Sequence, residues 1–156
     1  MMAIFGVGAT FLLQKSAARG RIKNFTVVEK IVTSRELNSL KILAVEDSPD
    51  HQILLLHILK NSGATIEFVD SGELAFEKVR QRDFDVILMD IRLPDMNGYD
   101  VTRELRRLGF EKPIVAVTAN AMLEDRQESI AAGCNAHITK PICADELFRT
   151  LRQFKS

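Results

Sequence analysis

The sequence predicts an α/β fold, a doubly wound parallel sheet with helices on both faces, and three observations carry that prediction. From residue 41 onward, five short β-rich runs alternate with five helical stretches. Each strand-to-strand connection is long enough for the crossover that parallel pairing needs. The run Val86-Ile87-Leu88-Met89 is apolar without alternation and bounded by turn signals, the pattern of a strand covered on both faces.

The elements follow in order. KILAV (41–45) reads as the first strand, and a helix begins at DHQILLLHILKNSG after Pro49. Its Ile53, Leu54, Leu56, Ile58 and Leu59 cover a wide apolar face, and Gly63 after Asn61-Ser62 stops it. TIEFV (65–69) is the second strand; Ser71 caps a helix from Glu73 to Gln81. DVILM (85–89) is the third strand, followed by a helix from Tyr99 to Leu108 that ends at Gly109. PIVAVT (113–118) is the fourth strand, and the next helix runs from about Leu123 to Ala132 before Gly133. AHIT (136–139) is the last strand and Ala144 to Phe154 the last helix.

The 156 residues suit one such domain plus an appendage, and 46% hydrophobic with 27% charged residues is the balance of an ordinary soluble protein. Net charge is zero, but residues 1–40 hold six Lys/Arg against two Glu, and residues 41–156 hold fifteen Lys/Arg against nineteen Asp/Glu. A mildly acidic domain offers no electrostatic footprint for nucleic acid, and the basic lead is too dilute for a binding tail. Cys134 and Cys143 have neither CxxC nor Cys/His spacing, so neither a disulfide framework nor a zinc site is expected, and a reducing cytoplasm is the simplest compartment. MMAIFGVGATFLL is too short to span a membrane, lacks a positive leader and is interrupted by Gly6 and Gly8.

In sheets of this kind ligands bind beyond the carboxyl ends of the strands. Glu46-Asp47 ends the first strand, Asp90 the third, Thr118-Ala119-Asn120 the fourth and Lys140-Pro141 the fifth. One aspartate at a strand end is ordinary, since strands stop where polar residues begin. Three carboxylates, a hydroxyl and an ammonium on the correct edge are a constellation. The three acids repel one another unless a cation shares the site, and an all-oxygen donor set suits a hard ion such as Mg²⁺. With Lys140 opposite, the pocket could neutralise the equatorial oxygens of a phosphoryl group, with a carboxylate oxygen as nucleophile. Thr118 could donate a hydrogen bond to a phosphate oxygen.

KILAVEDSPD, DVILMDIRLPDMNGYD, PIVAVTANAM and GCNAHITKPI, in that order and spacing, closely resemble the receiver domain of two-component response regulators over residues 40–155. The resemblance implies a flavodoxin-like sheet of strand order 2-1-3-4-5. It also implies Asp90 as phosphoacceptor, Asp47 as a direct Mg²⁺ ligand, Glu46 acting through a water and the Arg92 backbone carbonyl as a further ligand. Lys140 then pairs with the phosphoryl group, its bond to Pro141 is cis, and Thr118 is the switch hydroxyl. The implied donor is a phosphohistidine on a histidine kinase or histidine phosphotransfer protein. The output is a changed surface at the fourth helix and fifth strand, read by a partner the sequence does not name; a homodimer is compatible with it.

TANAM, EDRQESIAAG and KPI look most like receivers fused to, or serving, hybrid histidine kinases. With the sequence stopping shortly after Phe154, no DNA-binding output domain is expected. The family's inward-rotating aromatic, three residues before the lysine, is replaced by His137, which is either a switch residue or a half-exposed strand residue. Arg92 and Asn120 are placed to flank the phosphoryl group and influence hydrolytic water; a solvated loop is the plain alternative for Arg92. His51 and His57, six apart, lack metal spacing on one helix face and read as surface or boundary histidines. Asp83, Asp85, Asp95 and Asp100 read as turn, strand-start and cap residues, and Met89 and Met96 as packing and loop residues.

Residues 1–39 read as an extension or linker. GVGATFLLQ (6–14) resembles the end of a histidine-kinase ATP-binding domain, so the chain is also compatible with the C-terminal receiver of a hybrid kinase. VVEKIVTSREL (27–37) could add a strand or helix against the receiver or a second copy. A second class, a Mg²⁺-dependent phosphatase with an aspartyl-phosphate intermediate, would want an insert beside the nucleophile and an acid two residues after it. The Ile91–Gly98 loop is short and position 92 is arginine. A pseudo-receiver would lack an acid or the lysine, and all are present.

Overall fold

The computed structural model describes residues 35–155; the match at 6–14 and most of VVEKIVTSREL lie outside them. Ten elements alternate as β1 (Lys41–Val45), α1 (Pro49–Leu59), β2 (Thr65–Val69), α2 (Gly72–Gln81), β3 (Val86–Asp90), α3 (Gly98–Arg107), β4 (Ile114–Thr118), α4 (Leu123–Ala132), β5 (Ala136–Thr139) and α5 (Ala144–Arg152). The strands pair in parallel, as the sequence predicts, and in the order β2-β1-β3-β4-β5 that the resemblance implies.

The unalternating apolar strands serve two cores, because successive side chains point to opposite faces. Ile42, Ala44, Leu88, Val115 and Ile138 meet Leu55 and Leu59 of α1 and Leu147 and Leu151 of α5. Leu43, Val45, Ile87, Met89 and Ala116 meet Ala75 of α2, Tyr99, Val101 and Leu105 of α3 and Ala132 of α4. Leu37, inside the segment read as a leading extension, is fully buried in the first of these cores, and its N–H donates to Ser62 O at 2.9 Å.

Several boundaries differ from the sequence reading by a residue or two, and three of them matter here. β3 starts at Val86 and takes in Asp90, which pairs with Val117, while Asp85 stays outside and accepts the Lys41 N–H at 2.8 Å. α3 begins at Gly98, capped by Asn97, whose side chain accepts the Tyr99 N–H at 2.8 Å. α5 ends at Arg152, yet Phe154 still packs on the core.

Serines 48 and 71 cap α1 and α2, each accepting a backbone N–H of the first turn. Asp95, read as a turn or cap residue, caps α2 from the loop after β3 by accepting the Gly72 and Glu73 N–H groups. α4 has no such help: Met122 precedes it without a side-chain cap, and only Ser129 and Ala132 of the helix are buried. Its one tie to α3 through a side chain's hydroxyl is Tyr99 Oη, which donates to Asp125 O at 3.1 Å. Burial, helped by the Asp125 charge, pushes the Tyr99 phenol up to about 12.

Arg106 fastens the opposite end of the sheet, donating to Gly133 O, Phe110 O, Lys112 O and Asn135 Oδ1 at 2.5–3.0 Å. The two cysteines are unpaired. No helix among the described residues is long and apolar enough to cross a membrane.

Candidate functional site

The parallel register gathers the predicted residues at one edge. Val45 is level with Met89, which sets Glu46 beside Asp90, and Asp90 is level with Val117, which sets Thr118 one residue beyond it. Thr118 pairs with Thr139, and Lys140 N–H donates to Thr118 O at 2.7 Å, bringing the lysine to the same edge. The Lys140–Pro141 bond is cis, as the resemblance implies.

Glu46, Asp90 and Thr118 are all buried, at 3%, 5% and 6% exposure, so their polar groups must be satisfied inside the site. Lys140 does most of this. Its Nζ donates to Asp90 Oδ2 at 2.7 Å and to Glu46 Oε2 at 3.1 Å. The second oxygen of Asp90 accepts the Arg92 N–H at 2.9 Å, and Glu46 Oε1 accepts the Ser48 N–H at 3.0 Å. Burial works to lower the Lys140 pKa, but the hydrogen bonds and charges of Asp90 and Glu46 outweigh it and hold the ammonium above the ordinary lysine value. Thr118 Oγ1 accepts the Asn120 N–H at 3.1 Å.

Asp47 is placed differently from Glu46. It follows β1 and is exposed, outside the close group formed by Glu46, Asp90 and Lys140. His137 lies one residue behind the edge, level with Ala116. Its ring borders a cavity of about 150 Å³ lined by Arg126, Ser129, Ile130 and Cys134, with Nε2 3.4 Å from Thr139 Oγ1.

His51 corrects the sequence reading. It is no bystander: Nδ1 lies 3.2 Å from Glu46 Oε1 and 3.2 Å from Lys140 Nζ. α1 starts at Pro49, so its first turn hangs over the end of β1 and delivers position 51 to the strand edge. The spacing to His57 was the wrong signal. The informative one was a histidine three residues after a helix cap that itself follows an acid pair.

Gly98 supports the site from beneath. A Cβ there would lie 2.2 Å from Asp90 O and 2.8 Å from Ile91 Cα, both backbone atoms that cannot swing aside. Gly98→Ala should therefore cost about 2 kcal/mol of stability in denaturant unfolding and displace the end of β3; a variant as stable as the parent would show that this contact relaxes freely.

The donor set fits a hard divalent cation, since two buried carboxylates and the exposed Asp47 offer oxygens at one strand edge. An alternating parallel sheet with acids and a lysine at its carboxyl edge defines an α/β protein with a charged site where such sheets bind their ligands. The comparisons agree. Residues 42–152 match the response regulator receiver domain family, so the chain belongs to that family. It is 41% identical over 118 residues to the autoinducer 2 sensor kinase/phosphatase LuxQ of Vibrio vulnificus, covering 75% of this chain and 14% of the relative. It is 33% identical over 126 residues to the histidine-protein kinase BarA of Escherichia coli, covering 80% and 14%. The chain thus spans about one seventh of the length of these two relatives.

Among solved structures, the receiver domain of the sensor histidine kinase PA1611 from Pseudomonas aeruginosa, with magnesium coordinated in its active site cleft, matches with a TM-score of 0.68 and 38% identity over 74% of this chain and 97% of that one. The chemotaxis protein CheY4 of Vibrio cholerae matches with a TM-score of 0.70 and 30% identity over 74% and 98%. Magnesium is the ion held by the PA1611 receiver domain; in this chain the carboxylate oxygens of Glu46 and Asp90 gather with His51 Nδ1 at the strand edge.

Proposed function

We propose that Asp90 is the phosphoacceptor, and that the phosphoryl group comes from a phosphohistidine on a histidine kinase or histidine phosphotransfer protein. The observation that supports this most is the seat of Lys140, whose ammonium bridges Asp90 and Glu46 at 2.7 and 3.1 Å where β1, β3 and β5 end.

A carboxylate oxygen of Asp90 attacks phosphorus; the new O–P bond forms as the donor's N–P bond breaks, and the imidazole leaves. Bound Mg²⁺ supplies the positive charge that lets three carboxylates and a phosphoryl group share the pocket. Asp47 would hold it directly and Glu46 through a water, with the Arg92 carbonyl and Asp90 completing the protein's share. Lys140 moves its hydrogen bond from Asp90 to a phosphoryl oxygen. The Thr118 hydroxyl, which accepts from Asn120 and keeps its own proton to give, donates to another.

As Thr118 is drawn in, His137 repacks in the cavity beside α4, and the α4–β5 surface changes for an output partner or a second copy. The domain takes part in its own phosphorylation and autodephosphorylation, with Arg92 and Asn120 controlling the approach of water. Residues 1–39 act as an extension or linker to the receiver of residues 40–156, in a cytoplasmic protein or as part of a hybrid kinase. The phosphatase reading is not favoured: the Ile91–Asn97 segment before α3 has no room for a specificity insert.

Intact mass after incubation with Mg²⁺ and acetyl phosphate tests the proposal. A single phosphoryl adduct, absent when Mg²⁺ is chelated, is expected; no adduct would point to a pseudo-receiver. Asp47→Ala should weaken Mg²⁺ binding about tenfold or more, followed by calorimetry, and unchanged affinity would put the metal elsewhere.

A further inference from the structure

The geometry points to His51 as a third protein ligand at the cation site: with Glu46 and Asp90 its Nδ1 binds a borderline divalent ion such as Zn²⁺, which displaces Lys140 and blocks the phosphoacceptor. The inference rests on the proposed phosphoryl-accepting role of Asp90 only for that last consequence.

Glu46, His51 and Asp90 each offer one donor atom, and the three lie within 4.8 Å of one another. They come from two separate parts of the chain, the β1–α1 junction and the end of β3, so the convergence is made by the fold. A cation is already seated on it. The Lys140 ammonium is 2.7 Å from Asp90 Oδ2, 3.1 Å from Glu46 Oε2 and 3.2 Å from His51 Nδ1.

Nδ1 lies 3.2 Å from a donor, the Lys140 ammonium, and 3.2 Å from an acceptor, Glu46 Oε1. A metal takes the neutral ring protonated at Nε2, whose Nδ1 lone pair is free. The 3.2 Å from Nδ1 to Glu46 Oε1 is close to the separation of about 3.3 Å between two ligands of a tetrahedral zinc with bonds near 2.0 Å. The His51 side chain is 41% exposed, so an ion can reach it from solvent.

The ion's identity follows from the donors. Carboxylate and water suit Mg²⁺, whereas an imidazole nitrogen suits Zn²⁺ and its neighbours. Water or the exposed Asp47 can fill the fourth position. A doubly charged ion between two buried carboxylates replaces a singly charged one, and Lys140, on a flexible stem, can swing to solvent. Zn²⁺ held by Glu46, His51 and Asp90 takes the place Mg²⁺ needs and parts Lys140 from Asp90, which removes the arrangement proposed for phosphoryl transfer.

The test is calorimetry of the full chain with Zn²⁺ and, separately, Mg²⁺, in buffer free of phosphate and chelators, on wild type, His51→Asn and His57→Asn. His51→Asn should weaken Zn²⁺ binding about tenfold or more beyond any effect it has on Mg²⁺ binding, while His57→Asn should match wild type for both ions. The imidazole nitrogen signals of His51 should shift on adding Zn²⁺. Equal Zn²⁺ affinity in wild type and His51→Asn would overturn the inference, as would an equal loss in His57→Asn. If wild type binds Zn²⁺ through His51 but takes no phosphoryl group with Mg²⁺, the receiver reading fails and the zinc site stands. Where both hold, Zn²⁺ should inhibit Mg²⁺-dependent labelling of wild type more than that of His51→Asn.

Discussion

Asp90→Asn should take up no phosphoryl group from acetyl phosphate and Mg²⁺ under conditions that label wild type, while unfolding at similar denaturant concentration. The amide keeps the size of the carboxylate and can still accept the Arg92 N–H now made to Oδ1 at 2.9 Å. It removes the nucleophile and one of the two buried negative charges beside Lys140, and Glu46 remains to hold the ammonium at 3.1 Å. The fold thus loses a hydrogen-bonded charge pair but strands no buried ion, and a shift within about 1.5 kcal/mol is expected. Intact mass and urea unfolding check the two halves of the result. Retained labelling of the variant would move the acceptor to another residue.

Lys140→Ala should have the larger effect on stability. It leaves Glu46 and Asp90, both nearly fully buried, facing each other with no cation between them. Removing one partner of a buried ion pair strands the other charge, and about 3 kcal/mol is expected in metal-free buffer. Saturating Mg²⁺ should return part of that loss in the variant, because it restores positive charge to the same carboxylates. The variant should still be labelled at Asp90, but the change that labelling produces in the wild-type amide spectrum should be missing. A normal spectral change would refute the role given to the lysine.

The wild-type pair also fixes a pH dependence. The ammonium's pKa is raised in the folded state, so its contribution to stability is complete below the unfolded lysine value of about 10.4 and is lost as pH rises through the folded value. Stability should therefore fall on the alkaline side in wild type and fall less steeply in Lys140→Ala.

The legible part of this protein was whatever periodicity and strand-end chemistry encode. The ten elements, their parallel pairing and the convergence of Glu46, Asp90, Thr118 and Lys140 follow from them, while the order of the strands comes with the resemblance to the receiver family. What escaped depends on where a helix starts relative to a strand end. Helical spacing to His57 marks His51 as a surface or boundary residue, which its half-buried position fits, but says nothing of its partners Glu46 and Lys140, 5 and 89 residues away. Asp90 closes β3 as a member of the ladder because parallel pairing with Val117 extends one residue beyond the apolar run. Asp95 acts on a helix 23 residues earlier, a cap that pattern reading along the chain cannot assign.

The missing cap at the start of α4 has a kinetic meaning. A helix whose first turn has no side-chain acceptor, and which buries little beyond Ser129 and Ala132, opens locally at a fraction of the free energy that unfolds the sheet. Backbone amides at the start of α4 should thus trade their hydrogens for deuterium sooner than those of α1 or α2, whose ends Ser48 and Ser71 secure. Under the proposed role, the surface that phosphorylation would reshape is also the one expected to open most readily, so a small displacement of Thr118 would be enough to redirect it.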